Sequence, residues 1–180
     1  MNRLRLRYGL FVMVALLQLA APLYMAWHWE DVLQSGRVYY WQTAPVDPFD
    51  AFKGRYVDLW FRDAAGPVGG GSPLKPGQTA YAAIREGADR FAYISEVGAN
   101  KPDRDYVRVR VNYVEGNVAH VTLPFKRYYL PEDLAPAAEN AYRTSAGREA
   151  TVAVRIKDGY GVIEELYIGD KTIYQLLRGK

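Results

Sequence analysis

Hydrophobic positions follow two regimes along the chain. From Gly9 to Trp27 (GLFVMVALLQLAAPLYMAW) nearly every side chain is apolar, with Gln18 the only strongly polar one. The interval between Arg7 and Glu30 contains no Asp, Glu, Lys or Arg. A helix over this stretch rises about 1.5 Å per residue and is roughly 30 Å long, matching the hydrocarbon thickness of a bilayer. The pattern therefore predicts one transmembrane helix over residues 9–27. Pro22 is tolerable there because neighbours or water can satisfy the carbonyl it frees. His28 to Leu33 extends the helix beyond the membrane surface, and Ser35-Gly36 stops it.

After Gly36 the period shortens to two. Arg37 to Thr43 (RVYYWQT) is rich in β-formers. Tyr56 to Phe61 (YVDLWF) alternates Tyr56, Asp58 and Trp60 against Val57, Leu59 and Phe61. In Tyr106 to Tyr113 (YVRVRVNY), Val107, Val109 and Val111 alternate with Arg108, Arg110 and Asn112. Such alternation predicts strands with one buried and one wet face. Further strands are predicted over Thr79–Arg85, Arg90–Val97, Val118–Pro124, Thr151–Lys157 and Gly161–Ile168. Tight hairpins are expected at Glu115-Gly116-Asn117 and Asp158-Gly159. Ala44 to Asp50 carries two prolines that forbid regular pairing, and Asp63 to Gln78, with five Gly and three Pro, reads as a loop. One helix interrupts the series: Pro131-Glu132-Asp133 form its first turn, and Leu134, Ala138, Ala141 and Tyr142 repeat at helical spacing until Gly147.

These elements predict a mainly β (α+β) fold: an N-terminal transmembrane helix, then a twisted antiparallel sheet or partial barrel with one late packing helix. Residues 1–34 form a cytoplasmic tip, the transmembrane helix and a membrane-exit helix. Residues 35–180 are expected to form one extracytoplasmic β domain.

Charge places the two parts on opposite sides of a membrane. Of the 23 Lys and Arg, only Arg3, Arg5 and Arg7 precede residue 37, and all 20 acids lie from Glu30 onward. The positive-inside bias keeps the N-terminus cytoplasmic and exports the remainder, an orientation expected for a single-pass membrane protein. Tyr24, Trp27 and Trp29 fall where an interfacial aromatic belt sits. A cleaved signal peptide fits less well: cutting after Ala21 leaves Leu19 at −3 and Pro22 at +1, and cutting after Ala26 leaves Tyr24 at −3. From residue 30 onward 20 basic residues face 20 acidic ones, so the net charge of +3 gives no basic face for nucleic acid.

Catalytic inventory is thin. The chain has no cysteine, which removes disulfides, thiolate metal sites, a thiol nucleophile and a lipid-modified Cys. His28 and His120 lack metal-ligand spacing. Glu30-Asp31 and Glu164-Glu165 are adjacent and so diverge on a helix or strand. The glycines at 69–71 lack the Lys-Ser/Thr of a phosphate loop, and Arg108 with Arg110 reads as a solvated strand face before an anion site. No cofactor and no metal is expected.

Gly36 to Phe61 (GRVYYWQTAPVDPFDAFKGRYVDLWF) resembles the GDYXXLXY family, uncharacterised membrane-anchored bacterial proteins named for that motif. Thr43-Ala44-Pro45-Val46-Asp47-Pro48 is similar to the family's approach to the motif. Gly54, Tyr56 and Leu59 occupy its G, Y and L, while Arg55 replaces its Asp and Phe61 its last Tyr. Arg127-Tyr128-Tyr129-Leu130-Pro131-Glu132 is similar to a second family segment before the helix. The resemblance implies Asp47, Pro48, Gly54, Tyr56, Leu59, Arg127 and Glu132 as motif positions, either building an irregular turn and strand or lining a groove with Trp60. Arg55 argues against a catalytic Asp in the motif. A similarity in pattern to membrane-bound signal peptidases stops at the missing nucleophile, since residues 44–53 contain no Ser.

Relatives in the resembled family tend to be encoded beside, or fused to, multi-pass membrane proteins. The expected function is accordingly a non-enzymatic, membrane-anchored interaction or structural partner of such a protein, with Ala15, Gln18, Ala20 and Ala21 on a helix contact. The alternatives are an envelope hydrolase, or a small-ligand sensor using a groove near the Pro-rich/Gly54 motif.

Overall fold

The computed structural model describes residues 2–44, 56–62, 64–70 and 73–178, with side chains from Arg7 onward. Helix α1 (Asn2–Ser35) is continuous through Pro22. Leu10, Phe11, Leu16, Leu17, Leu23 and Trp27 stand exposed around it, so between Tyr8 and Trp27 it presents apolar surface that no part of the described chain covers. By length and composition it can cross a membrane. Its last turns differ, because Val32 is fully buried against the β structure. The Gly36 N–H donates to the Val32 carbonyl at 2.9 Å. A Cβ at Gly36 would collide with that carbonyl and lie 3.2 Å from Arg155 Cβ, so only glycine turns the helix directly into a strand here.

That strand is β1 (Arg37–Gln42), which pairs antiparallel with β9 (Ala150–Lys157) from Arg37 opposite Ile156 to Gln42 opposite Thr151. Strand β9 pairs on its other side with β10 (Tyr160–Ile168), whose far end meets β11 (Lys171–Thr172). The β9–β10 turn is the expected Asp158-Gly159, both residues left-handed with φ of 51° and 85°. A second sheet orders β3 (Ala65–Pro67), β7 (Val118–Thr122), β6 (Tyr106–Glu115), β4 (Thr79–Glu86) and β5 (Ala92–Gly98). A parallel bridge between Val68 and Val97, with the Gly69 N–H donating to the Val97 carbonyl at 2.8 Å, brings its edges together into a nearly closed barrel. Bridges Tyr40–Phe91 and Val107–Gly159 join the two sheets. A two-stranded ribbon of β2 (Tyr56–Asp58) and β8 (Arg127–Tyr129) lies beside them.

The alternation read from sequence is present. Val107, Val109 and Val111 are buried while Arg108, Arg110 and Asn112 are exposed, and Val57 and Leu59 are buried while Trp60 is exposed. Helix α2 (Ala135–Ser145) buries Ala138 and Tyr142 of the expected stripe, starting one turn after Pro131. One hydrophobic cluster, including Trp41, Val107, Leu123, Phe125, Tyr142, Val154 and Leu166, runs through β1, β2, β4 to β10 and α2.

Three features depart from the sequence reading. Strand β3 lies inside the segment read as loop, because Gly66 and Pro67 close the barrel seam. A Cβ at Gly66 would sit 2.5 Å from Ile94 Cγ2, so the turn-like composition reflects close packing. The strand read over Tyr56–Phe61 pairs regularly only to Asp58 and then continues to an isolated Thr43–Phe61 bridge. Strand β8 and a short C-terminal helix α3 (Ile173–Arg178) join the predicted elements, the latter burying Ile173. The proline-rich approach and Gly54 lie outside the described residues.

Two tyrosines lock elements together through carboxylates. Tyr39 donates to Asp105 at 2.5 Å and Tyr128 to Glu165 at 2.7 Å. Burial first, and the neighbouring carboxylate second, raise both phenols above their ordinary pKa. The neutral phenols therefore stabilise the fold fully below the unfolded-state value of about 10, and that contribution is lost as pH rises through the folded-state value. Thermal melts of wild type and a Tyr39→Phe/Tyr128→Phe variant should show the larger loss of Tm above pH ~10 in wild type. Parallel pH curves for the two proteins would exclude this contribution.

Candidate functional site

A groove of about 740 Å³ opens where the β2–β8 ribbon meets the β6–β7 hairpin and α2. Val57, Leu59, Val121 and Leu123 form its apolar floor, each buried in the core. Because β2 alternates, the residues between them, Tyr56, Asp58 and Trp60, belong to the walls. Lys126 and Arg127 enter from the start of β8, Asn112, Tyr113, His120 and Thr122 from the hairpin, and Glu139, Tyr142 and Arg143 from α2.

Arg127 is the best-held charge. It sits directly across from Asp58 in the ribbon, with Nε 3.6 Å from Asp58 Oδ1, and its guanidinium lies 4.7 Å over the Tyr56 ring. Tyr56 in turn packs edge-on to Tyr129 at 5.7 Å. Hydrogen bonding to Tyr129 does most to raise the Arg127 pKa, and Asp58 adds to it, so this cation is permanent. Stacking and pairing together fix the plane of its N–H donors.

The hairpin wall owes its shape to a bulge. Pairing slips between Val111 and Tyr113, which leaves Asn112 unpaired in the ladder. Asn112 joins the groove, its Oδ1 accepting from the Thr122 hydroxyl at 2.8 Å. Beyond the slip Tyr113 faces His120, and the rings stack at 4.3 Å and 16°. His120 Nε2 is 4.0 Å from Glu115.

At the opposite wall the buried Tyr142 hydroxyl accepts from the Trp60 N–H at 3.1 Å. Burial raises this phenol's pKa against the pull of the Trp60 N–H and the Thr43 hydroxyl. Thr43 itself is buried, donates to the Ala150 carbonyl at 2.9 Å and accepts from the Gly147 N–H at 3.3 Å. The backbone carrying Trp60 is thus tied to α2, β1 and β9 at one point.

Of the positions singled out from sequence, Tyr56, Leu59, Trp60 and Arg127 meet at the groove. Glu132 is exposed in the turn before α2, away from the groove lining. Asp47, Pro48 and Gly54 fall outside the described residues. Leu59 is a floor residue at 3% exposure, and its N–H donates to the Lys126 carbonyl at 2.7 Å. Phe61, where the motif has Tyr, packs edge-on to Phe125 at 5.4 Å and Trp41 at 6.0 Å. Sequence reading missed Asn112, Tyr113, His120, Glu139 and Arg143 as neighbours of the motif. The Tyr113–His120 pairing across Glu115-Gly116-Asn117 was the available signal, since a tight hairpin places such residues opposite each other. The adjacent Glu164 and Glu165 do diverge: Glu164 pairs with Arg155 at 2.8 Å and Glu165 accepts from Tyr128.

Chemically the groove offers aromatic faces and fixed planar polar groups. Its described lining contains no serine or cysteine, and its threonine hydroxyl is committed to Asn112. Among the described residues no three His, Cys, Asp or Glu are grouped to hold a metal ion.

A long apolar helix carrying a β head of two larger sheets and a two-stranded ribbon, with an aromatic groove, defines the architectural class. The sequence profile described as GDYXXLXY protein matches residues 18–166, and the chain belongs to that family. Searches of curated proteins and of solved structures returned no match.

The motif's roles separate by substitution. Leu59→Ala empties a fully packed floor position and should cost ~2–5 kcal/mol. Tyr142→Phe removes one buried hydroxyl and should cost ~1–3 kcal/mol. Trp60→Ala, whose ring is exposed, should leave the free energy of urea unfolding within about 0.5 kcal/mol of wild type. A midpoint loss for Trp60→Ala equal to that of Leu59→Ala would contradict this division.

Proposed function

We propose that this chain is a single-pass protein of the bacterial inner membrane, N-terminus cytoplasmic, whose residues 35–180 form an extracytoplasmic domain. It serves as a non-enzymatic partner of a multi-pass membrane protein. The observation that carries this reading is the docked junction between helix and head. Lys157 Nζ bonds Asp31 Oδ2 at 2.7 Å and the Ser35 hydroxyl at 2.8 Å. The Tyr160 ring meets His28 edge-on at 4.5 Å and Trp29 at 5.6 Å, and Arg108 covers it at 4.4 Å.

A simple tether needs only a flexible linker. A helix fixed to its head instead carries orientation, so a contact made in the bilayer sets where the head points. Helix packing in lipid relies on small residues and interhelical hydrogen bonds, which Ala15, Gln18, Ala20 and Ala21 supply. The three N-terminal arginines support the orientation. The groove supports a second reading, a ligand-sensing head, since its lining is suited to binding.

Because the chain has no cysteine, single substitutions report topology cleanly. An impermeant maleimide should label Asn117→Cys in spheroplasts and Asn2→Cys only after lysis, and the reverse would overturn the orientation. Photocrosslinkers at Ala15 and Ala21 should capture a multi-pass membrane protein. Capture of nothing, or of the same products from a probe at Tyr8, would overturn the partnership through this face.

A further inference from the structure

We infer that the groove is a carbohydrate-binding site that takes a segment of an oligosaccharide chain, an inference resting on the second reading above, that the groove binds a ligand. The apolar surface that the groove leaves open is of one kind. Every aliphatic side chain of its floor is already covered: Val57, Leu59, Val121 and Leu123 are no more than 5% exposed. What remains open is aromatic. Trp60 is 61% exposed and Tyr113 51%.

A bound peptide draws its affinity from anchors seated in deep apolar pockets or from an added strand, and this groove offers ring faces with a filled floor. Ring faces suit the flat C–H face of a pyranose, which an aromatic π-system attracts and an aliphatic pocket does not orient. The polar groups between the rings are of the matching kind. The Arg127 guanidinium, the Asp58 and Glu139 carboxylates and the Asn112 amide are planar groups whose paired atoms reach two neighbouring hydroxyls at once. Two of these planes are held in advance, Arg127 by Tyr56 and Asp58, and Asn112 by Thr122, which lowers the ordering cost of binding.

Size and position agree. A groove of about 740 Å³ lies within the range of small-ligand sites, roughly 300–1,000 Å³, and has room for several linked hexoses. It sits at the end of the head remote from the helix. Strand β1 leaves the helix at Gly36, and its six residues carry the chain about 20 Å before the Ala44 N–H donates to the carbonyl of Trp60 in the groove's wall at 2.7 Å.

Calorimetric titration of the full chain in phosphatidylcholine nanodiscs tests the inference, with empty discs as control. The probes are hexa-N-acetylchitohexaose, maltohexaose and, separately, a reduced and carboxymethylated polypeptide. At least one hexaose should bind saturably. Trp60→Ala and Tyr113→Ala should each weaken that binding about tenfold, the loss expected for one stacked ring at about 1.4 kcal/mol per decade. Tyr93→Ala, an exposed ring outside the groove lining, should leave it unchanged. Binding of neither hexaose, or hexaose binding indifferent to Trp60→Ala, overturns the inference. Polypeptide binding lost in Trp60→Ala, without hexaose binding, also overturns it while leaving the ligand-binding groove standing.

Discussion

Strand β1 leaves the helix at Gly36 and reaches the groove at Thr43, and its antiparallel pairing with β9 holds both ends of the molecule in place. At one end the ladder brings Lys157 of β9 beside Asp31 and Ser35 of the helix. At the other, Ala150 of β9 accepts from the Thr43 hydroxyl, which in turn receives the Gly147 N–H after α2. A one-residue slip in this pairing would turn Tyr39 and Trp41 outward and uncouple helix and groove together.

Polar groups are placed around this ladder by departures from regular strand geometry. The slip in β6 brings Asn112 to the groove, and a second slip in β10 separates Glu164, paired with Arg155, from Glu165, bonded to Tyr128. Each bulge moves one residue out of the two-residue period and so delivers a polar side chain where strict alternation would place it elsewhere. The barrel seam uses the opposite device, in which Gly66 has no side chain and lets Ile94 close the gap.

The family motif combines both kinds of role in one short run. Leu59 and Phe61 face inward to the floor and to Trp41 and Phe125, while Tyr56 and Trp60 belong to the groove wall. Alternation makes this unavoidable: a strand that anchors a core with one face must present something with the other. A structural and a ligand-facing reading of the motif are therefore the two faces of the same strand.

The sequence by itself determined the apolar helix, the mainly β class, the faces of the long strands, the Asp158-Gly159 hairpin and the family. These follow from local period and turn chemistry, which a few adjacent residues express. Tertiary structure alone decided that Ala65–Pro67 is a strand, because its pairing energy comes from a barrel seam contributed by residues far along the chain. It also decided that Arg127 stands over Tyr56, that Tyr113 and His120 face the motif, and that Tyr142 holds the Trp60 backbone. Those neighbours come from five elements, β2, β6, β7, β8 and α2, brought together from distant parts of the chain. A groove is a property of how elements close on one another, and no periodicity within any one of them encodes it.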